Sequence, residues 1–588
     1  MVASSYPRPQ FVRQEWQSLD GFWQYAFSPT ANPASVNWLG EIRVPFPPES
    51  PLSGVHDPSF HPLVWYRCIF LVPQAWQGQR LMLHFGAVDY SAQVWLNGRL
   101  VVEHEGGHTP FSADITEVLV QGEQELIVRA ADNPCDLEKP RGKQDWEEKP
   151  HAIWYPRTSG IWQPVWLEPV PEICITRLRL TPEVESFTIG MDLEVGTNLL
   201  DSPEGLSLDV QLTLHGETLV RDTHKVGGYK GRYQIVLPAP QSDLERKMLL
   251  WSPENPILFD LLLTLHNDRQ ILDQVHSYAA LRSVEARAGA FYLNGQPYFL
   301  QMVLDQGYWV ESHLAAPSGE ALRQDVELTK AMGFNGVRKH QKIEDPRYLY
   351  WADRLGLLVW GELPSAYSFS GEAARRLTSE FIAMIERDYN HPCLMAWVPF
   401  NESWGIPDVS RSVTQRHLAH SLYHLAKTLD PTRLVIENDG WEHCGTDLFT
   451  IHDYENDPQV YAYRYGTPAG LEDAILHYTR TPKWIVEGFS PQGLPVVLSE
   501  FGGIRLGNEG PGWGYAQVQT PDDFLQLFAP LMKAVYGKVL TGFCYTQLTD
   551  TFQEQNGLLY ADRRPKVDPQ IIAGILQDGL RQRSLEPA

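Results

Sequence analysis

Apolar and polar positions alternate with a two-residue period through the first part of the chain, in short runs such as "WYRCIFLV", "QRLMLHF", "YSAQVWLNGRLVVEHEG" and "QELIVRAADNP". Runs of β-branched and aromatic residues bounded by turn residues are the pattern of half-buried strands. Asn97-Gly98, set between two apolar runs, predicts a hairpin because both residues tolerate positive φ. Residues 1–170 therefore read as a β-sandwich, with Pro164, Pro169 and Pro171 near its end. From 171 to 285 the alternation resumes in "TRLRLTPEV", "TIGMDLEVGT", "LSLDVQLTLHG", "RYQIVLPAP" and "FDLLLTLHN", which predicts an immunoglobulin-like sandwich.

After residue 286 the period changes. "SGEALRQDVELTKAMG" spaces Leu322 and Val326, then Leu328 and Met332, at helical intervals, with Ser318 as N-cap and Gly333 as stop. Around it apolar β runs recur: "YFLQMVL", "FNGVRKH", "GLLVWGEL", "LMAWVPFNE", "RLVIENDG", "LFTIHDY", "LPVVLSEFG" and "VLTGFCYTQLTD". Eight such runs with helices between them predict a (β/α)8 TIM barrel over 286–588.

Composition restricts the function classes. At 588 residues, 43% hydrophobic and 20% charged, the chain has the make-up of a globular protein too long for one core. It contains no apolar run long enough to span a membrane, so no membrane partner is expected. A net charge of −24 disfavours nucleic acid, whose phosphates are bound by Lys and Arg. Cys68, Cys135, Cys174, Cys393, Cys444 and Cys544 show no paired spacing and read as reduced thiols. The start, "MVASSYPRPQFVRQEW", lacks the charge and apolar stretch of an export signal, and a cytoplasmic location is the expectation.

In a TIM barrel, chemistry sits at the C-terminal ends of the strands. Here those ends carry Asp305, Arg338, His340, Glu362, Asn401, Glu402, Asn438, Asp439, His452, Asp453, Tyr454 and Glu500. Glu402 closes the fourth run and Glu500 the seventh, so the two face each other across the mouth. Paired carboxyls suit cleavage of a glycosidic bond: one protonates the leaving oxygen while the other meets the developing positive charge. For a single strand-end Glu, a solvated turn or an ion pair is the ordinary explanation; the pair, with Arg338 alongside, outweighs it. A metal-dependent hydrolase would call for an H-x-H or H-E-x-x-H spacing, which is absent, so no metal is expected.

At these residues the sequence resembles glycoside hydrolase family 2, the family of β-galactosidases, β-glucuronidases and β-mannosidases. "NHPCLMAWVPFNES" looks like the family's acid/base signature, "VVLSEFGG" its nucleophile signature and "TSGIWQPVWLE" a further typical stretch. The resemblance covers nearly the whole chain and implies a sugar-binding-like jelly roll, an immunoglobulin-like sandwich and a catalytic barrel, in that order. It implies Glu402 as proton donor and Glu500 as nucleophile of a retaining exo-β-glycosidase. Arg338 matches the arginine that orients a carboxylate, Asn401 the residue at the sugar 2-hydroxyl, and Tyr454 the tyrosine leaning on the nucleophile. A homo-oligomer without cofactor is implied, and Glu402 is expected to be held protonated beside the second carboxylate.

The departures bear on the sugar. "GELPSAYSFSG" replaces the magnesium-binding stretch of the large β-galactosidases, and Gln341 stands near an expected histidine. "GFCYTQLTD" offers Tyr545 in place of a tryptophan platform. Where β-glucuronidases carry Asn-x-Lys, "QEQNGLLYA" has Glu554 and Asn556, which turns a cation into an anion. A neutral β-galactoside is therefore the first expectation. A β-glucuronide or β-galacturonide is the second, and would need Lys339 or His340 for its carboxylate. A carbohydrate-binding protein without catalysis is a distant third. Asp305, His340 and His452 are the candidates for hydroxyl binding, and Trp360, Trp404 and Tyr545 for the walls.

Overall fold

The computed structural model describes residues 6–197, 205–478, 482–507 and 510–585. In the first part a four-stranded and a six-stranded antiparallel sheet enclose a core of Trp23, Tyr66, Leu83, Phe85, Val94, Val128 and Leu167. The Asn97-Gly98 turn joins Ser91–Leu96 to Arg99–Glu105, with φ of +50° and +77° at its two residues. Both values belong to the left-handed region that such a turn requires. A three-stranded sheet (Ile173–Glu183, Thr188–Thr197, Lys230–Val236) and a four-stranded one follow. Their inward residues, Leu193, Leu208, Val210, Phe259 and Leu263 among them, form a second apolar core.

The third part is a sheet of eight parallel strands: Leu300–Asp305, Gly336–Lys339, Leu358–Glu362, Leu394–Val398, Leu434–Val435, Phe449–His452, Val496–Gly502 and Leu540–Thr546. Each falls on one of the eight apolar runs, the first extending one residue past its run to Asp305. The first strand pairs with both the second and the eighth, so the sheet curls on itself. Beyond the fifth strand, Gly440 faces the sixth: its carbonyl accepts from the His452 N–H at 3.2 Å and its N–H donates to the Thr450 hydroxyl at 3.0 Å. The helix after the first strand spans Gly319–Ala331, capped by the Ser318 hydroxyl, which accepts from the Ala321 N–H. It ends beside Gly333, at φ +87°. Leu322 and Val326 are the apolar residues it buries, with Asp325 and Thr329 buried beside them.

Strands buried on both faces concentrate their charged side chains at their C-terminal ends, and those ends open on one side of the barrel. Residues 133–159, part of the first sandwich region, cross over that opening. Arg141 and Gly142 donate their N–H groups to the Ser365 carbonyl at 3.0 and 3.1 Å. Tyr155 donates its hydroxyl to Glu554 at 2.5 Å. All six cysteines are free, and among the described residues no helix is long and apolar enough to cross a membrane.

Candidate active site

Arg338, at the end of the second barrel strand, is wholly buried and stands at the centre of the mouth. Its Nε pairs with Glu362, while Nη1 lies 2.8 Å from both Glu500 and Asp439. Nη2 donates to Asn401 Oδ1 at 2.6 Å. The planar fork thus fixes four side chains from the third, fourth, fifth and seventh strand ends. Burial works against the charge of Arg338, yet Asp439, Glu362 and Glu500 hold it firmly cationic. Asp439 is pressed well below the usual carboxylate range by Arg338 in spite of its burial.

Glu402 follows the fourth strand on a turn in which it and Ser403 have φ of +53° and +58°. Left-handed backbone at two successive non-glycine residues is strained and persists only where neighbours impose it. Here Glu402 donates its N–H to the Asp439 carbonyl and Ser403 its N–H to Asn438 Oδ1, each at 2.9 Å. The turn aims the Glu402 carboxylate at His452, whose Nδ1 is 2.7 Å away; the other ring nitrogen lies 3.0 Å from Asp439. Burial alone would lower His452, but the charges of Glu500 and Asp439 raise it to about 10. In turn, the hydrogen bond and charge of His452 hold Glu402 below its ordinary value against the opposing pull of burial. The resting proton therefore sits on the imidazole side of the pair, which differs from a Glu402 kept protonated by a neighbouring carboxylate. The group at 2.7 Å from Glu402 is thus an imidazolium held between anions.

Glu500 is held from two sides, by Arg338 and by the Tyr454 hydroxyl, which donates to Oε2 at 2.6 Å. The Tyr454 ring stacks on Tyr515, centroids 3.4 Å apart. One oxygen of Glu402, one of Glu500 and a nitrogen of His452 all lie within 4.8 Å of one another. Trp404 brings its indole N–H to 3.4 Å from Glu402 and joins an aromatic wall with Tyr367 and Trp154.

Of the residues expected from sequence, Arg338, Asn401, Glu402, Trp404, His452, Tyr454 and Glu500 come together. Asp305 and His340 line the same end with their polar atoms already engaged. Asp305 accepts from Lys339 Nζ and from the Gly307 N–H, both at 2.8 Å. His340 Nδ1 lies 2.9 Å from Glu362, and burial with the charge of Arg338 keeps its ring neutral. Lys339 is shared between Asp305 and Glu344 at 2.8 Å each. Trp360 is fully buried in the barrel core.

Tyr545 does not reach the mouth. Its ring packs edge-on against Phe501 and Phe528, in the layer between the eighth strand and the helix Pro521–Val535. Its hydroxyl accepts from the Ile504 N–H at 3.3 Å. Successive strand residues point to opposite faces, and the residue directed inward is Thr546, whose hydroxyl lies 3.2 Å from that of Tyr454. Sequence reasoning also passed over Lys143, Trp154 and Tyr155, which reach the site from residues 133–159. A long segment with neither strand nor helix period is itself the available signal, because such stretches in compact domains are usually either functional loops or linkers.

Two groups bring metal-ligating side chains together among the described residues, Glu402–His452–Glu500 and Asp353–His391–Cys393. In the first, both His452 nitrogens already face carboxylates and Glu500 faces Arg338. In the second, Asp353 accepts from the Cys393 N–H at 2.8 Å and from the Tyr278 hydroxyl at 2.7 Å. Either set offers its donors to the protein's own groups.

Residues 41–138 match the family model described as "Glycosyl hydrolases family 2, sugar binding domain", and 284–526 the one described as "Glycosyl hydrolases family 2, TIM barrel domain". The chain belongs to this family. A protein named "Putative beta-glucuronidase" from Formosa agariphila is 29% identical over 63% of this chain and 44% of its own length. A β-galactosidase from Thermoanaerobacter pseudethanolicus is 28% identical over 66% of this chain and 50% of its own. The chain thus spans about half the length of these curated relatives. Among solved structures, Bacteroides uniformis β-glucuronidase aligns with a TM-score of 0.75 at 21% identity, over 96% of this chain and 69% of that one. An Eisenbergiella tayi β-galacturonidase bound to galacturonate aligns at 0.74 and 19%, over 97% and 98%. Identities this low speak for the fold shared across the family, and the names divide between neutral and acidic sugars.

Proposed function

We propose that this chain is a retaining exo-β-glycosidase that releases a terminal β-linked sugar, a neutral β-galactoside before any other. The observation that carries the reading is the approach of the Glu402 and Glu500 carboxylate oxygens to within 4.8 Å. Retaining glycosidases set their carboxyls about 5–5.5 Å apart, whereas inverting ones leave about 6.5–9.5 Å for a water between them.

In the first displacement Glu500 attacks the anomeric carbon while Glu402 delivers a proton to the glycosidic oxygen, and the aglycone leaves as an alcohol. The proton comes from the His452–Glu402 pair, across the 2.7 Å contact between Nδ1 and Oε1. Arg338 and Tyr454 keep Glu500 ionised and aimed. In the second displacement Glu402 takes a proton from water, the resulting hydroxide equivalent attacks the same carbon, and Glu500 is released. Asn401, oriented by Arg338, is placed to bond a sugar hydroxyl, a contact that strengthens as charge develops. The crossing segment 133–159, tied to Glu554 through Tyr155, closes one side of the mouth and favours attack at a chain end.

A uronide is the second reading, to which the relatives named β-glucuronidase point. Against it, Lys339 and His340 are committed to carboxylates of the protein, and Glu554 stands where a cation would be required. The test is a proton NMR time course with p-nitrophenyl β-galactoside, alongside the glucuronide, galacturonide, glucoside, mannoside and α-L-arabinopyranoside. The β-anomer of galactose is expected first. Initial α-anomer would rule out the double displacement, and faster turnover of a uronide would overturn the choice of sugar.

A further inference from the structure

Residues 133–159 bring to the barrel mouth a lysine that the catalytic steps above do not use. Gly142, at φ +61°, passes so close to Gln341 that a Cβ would stand 2.3 Å from its carbonyl oxygen, so only glycine fits. The next residue is Lys143, whose carbonyl accepts from the Tyr155 N–H at 2.8 Å. With its backbone pinned on both sides, its side chain enters the mouth, and the residue is 7% exposed. The ammonium lies 5.9 Å from the centre of the Tyr155 ring. Among the described residues it has no hydrogen-bond acceptor and no carboxylate at ion-pair distance. Its charge nevertheless reaches Glu402, His340 and Glu554, adding to His452 in lowering the first and opposing burial at the last.

Glu554 is the complementary group. Each of its oxygens accepts one hydrogen bond, from Tyr155 at 2.5 Å and from Asn556 at 3.1 Å, and keeps a further lone pair. Asn556 is oriented by Gln547 at 2.7 Å, and Gln547 by Gln306 at 2.9 Å, so the carboxylate is rigidly set. A group that satisfies an ammonium and a carboxylate together must accept from one and donate to the other, as a hydroxyl does. A sugar carboxylate would satisfy Lys143 alone and would meet Glu554. It would also enter a mouth where Glu362, Glu402, Asp439, Glu500 and Glu554 outnumber Arg338, His452 and Lys143.

We propose that Lys143 and Glu554 are the specificity-determining pair, Lys143 donating to and Glu554 accepting from hydroxyls of an uncharged sugar, and that together they reject a uronate. The proposal rests on the glycosidase reading but is tested by binding, without turnover. Phenyl 1-thio-β-D-galactopyranoside and the corresponding thio-galacturonide, neither readily hydrolysed, are titrated calorimetrically into wild type, Lys143→Met, Lys143→Arg and Glu554→Gln. The melting temperature of each variant reports folding. Wild type should prefer the galactoside. Lys143→Met and Glu554→Gln should each weaken it about tenfold, the cost of one hydrogen bond to a charged group. Lys143→Arg should retain part of the affinity, and Glu554→Gln should improve the galacturonide. Tighter binding of the galacturonide by wild type, lost in Lys143→Met, would make the lysine an anion receptor and overturn the proposal. Unchanged affinities in a folded Lys143→Met would reduce it to a structural residue and overturn it equally. If binding changes as expected while no glycoside is cleaved, the catalytic reading fails and the recognition pair stands.

Discussion

At Glu168, in the first sandwich, one carboxylate is surrounded by the Tyr6 hydroxyl, Arg8 at 2.7 Å, His84 at 3.1 Å and Arg13 at 3.6 Å. At the barrel mouth the ratio is reversed: one guanidinium, Arg338, serves Glu362, Asp439 and Glu500 as well as Asn401. Both clusters are buried and both use arginine forks, yet only the second has groups left to offer. The Glu168 side chain is fully enclosed, whereas those of Glu402 and Glu500 keep 13% and 7% of their surface. A carboxylate with surplus cations is locked ionised, since Arg8 and His84 hold Glu168 far below its ordinary range despite burial. Carboxylates that share too few cations compete for protons. That competition puts an imidazolium between Glu402, Asp439 and Glu500, the proton that the proposed mechanism passes to the leaving group. A buried Glu beside an Arg is thus weak evidence of function. The balance of charges around it, and whether it can be reached, decide.

Glu402→Ala should separate the two clusters most strongly. Loss of the proton donor should lower kcat/KM on alkyl and oligosaccharide substrates by roughly 10²–10⁴-fold. The loss should be much smaller for a dinitrophenyl glycoside, whose leaving group needs no proton, and azide should restore turnover as a β-glycosyl azide. Next in size, Glu168→Gln should cost about 3–5 kcal/mol by leaving Arg8, Arg13 and His84 around a neutral amide, as when one partner of a buried pair is removed. Urea unfolding should show this while the folded variant retains its kcat, which is the reverse of Glu402→Ala.

His452→Gln sharpens the proton argument. A histidine raised from about 6.5 unfolded to about 10 folded stabilises the protein fully below the lower value and loses that contribution as pH rises through the upper one. The urea-midpoint gap between wild type and His452→Gln should therefore be widest near pH 6 and close toward pH 10. A gap independent of pH would mean that the imidazole is neutral in the native site. The smallest effect belongs to Tyr545→Phe. It should cost about 1 kcal/mol for the hydroxyl's bond to Ile504, with kcat/KM on the aryl galactoside unchanged, because the ring faces the helices.

The eight barrel strands were legible because each is a largely apolar run with any charged residue at its end, and Glu402 and Glu500 stood out for the same reason. Tyr545 was misplaced by one residue, and the cause is physical. In a strand buried on both faces, as "LTGFCYT" is, apolar residues point both ways, so the pattern does not reveal which of Cys544, Tyr545 and Thr546 faces the mouth. Lys143 and Tyr155 were illegible for a different reason. They belong to a segment without period, and their place is set by contacts with Gln341, Ser365 and Glu554, hundreds of residues away. His452 was visible as a strand-end histidine, but its charge was not, because that depends on three carboxylates that only the closed barrel brings around it.

The central claim is that Glu500 and Glu402 are nucleophile and acid/base of a double displacement. It is tested most directly by trapping the covalent intermediate with 2-deoxy-2-fluoro-β-D-galactosyl fluoride, or the corresponding fluorosugar of whichever glycoside proves preferred, and mapping the labelled peptide by mass spectrometry. One fluorosugar per chain, ester-linked to Glu500 within "VVLSEFGG", is the predicted result. A label on Glu402, or time-dependent inactivation with no label on either residue, would contradict the account.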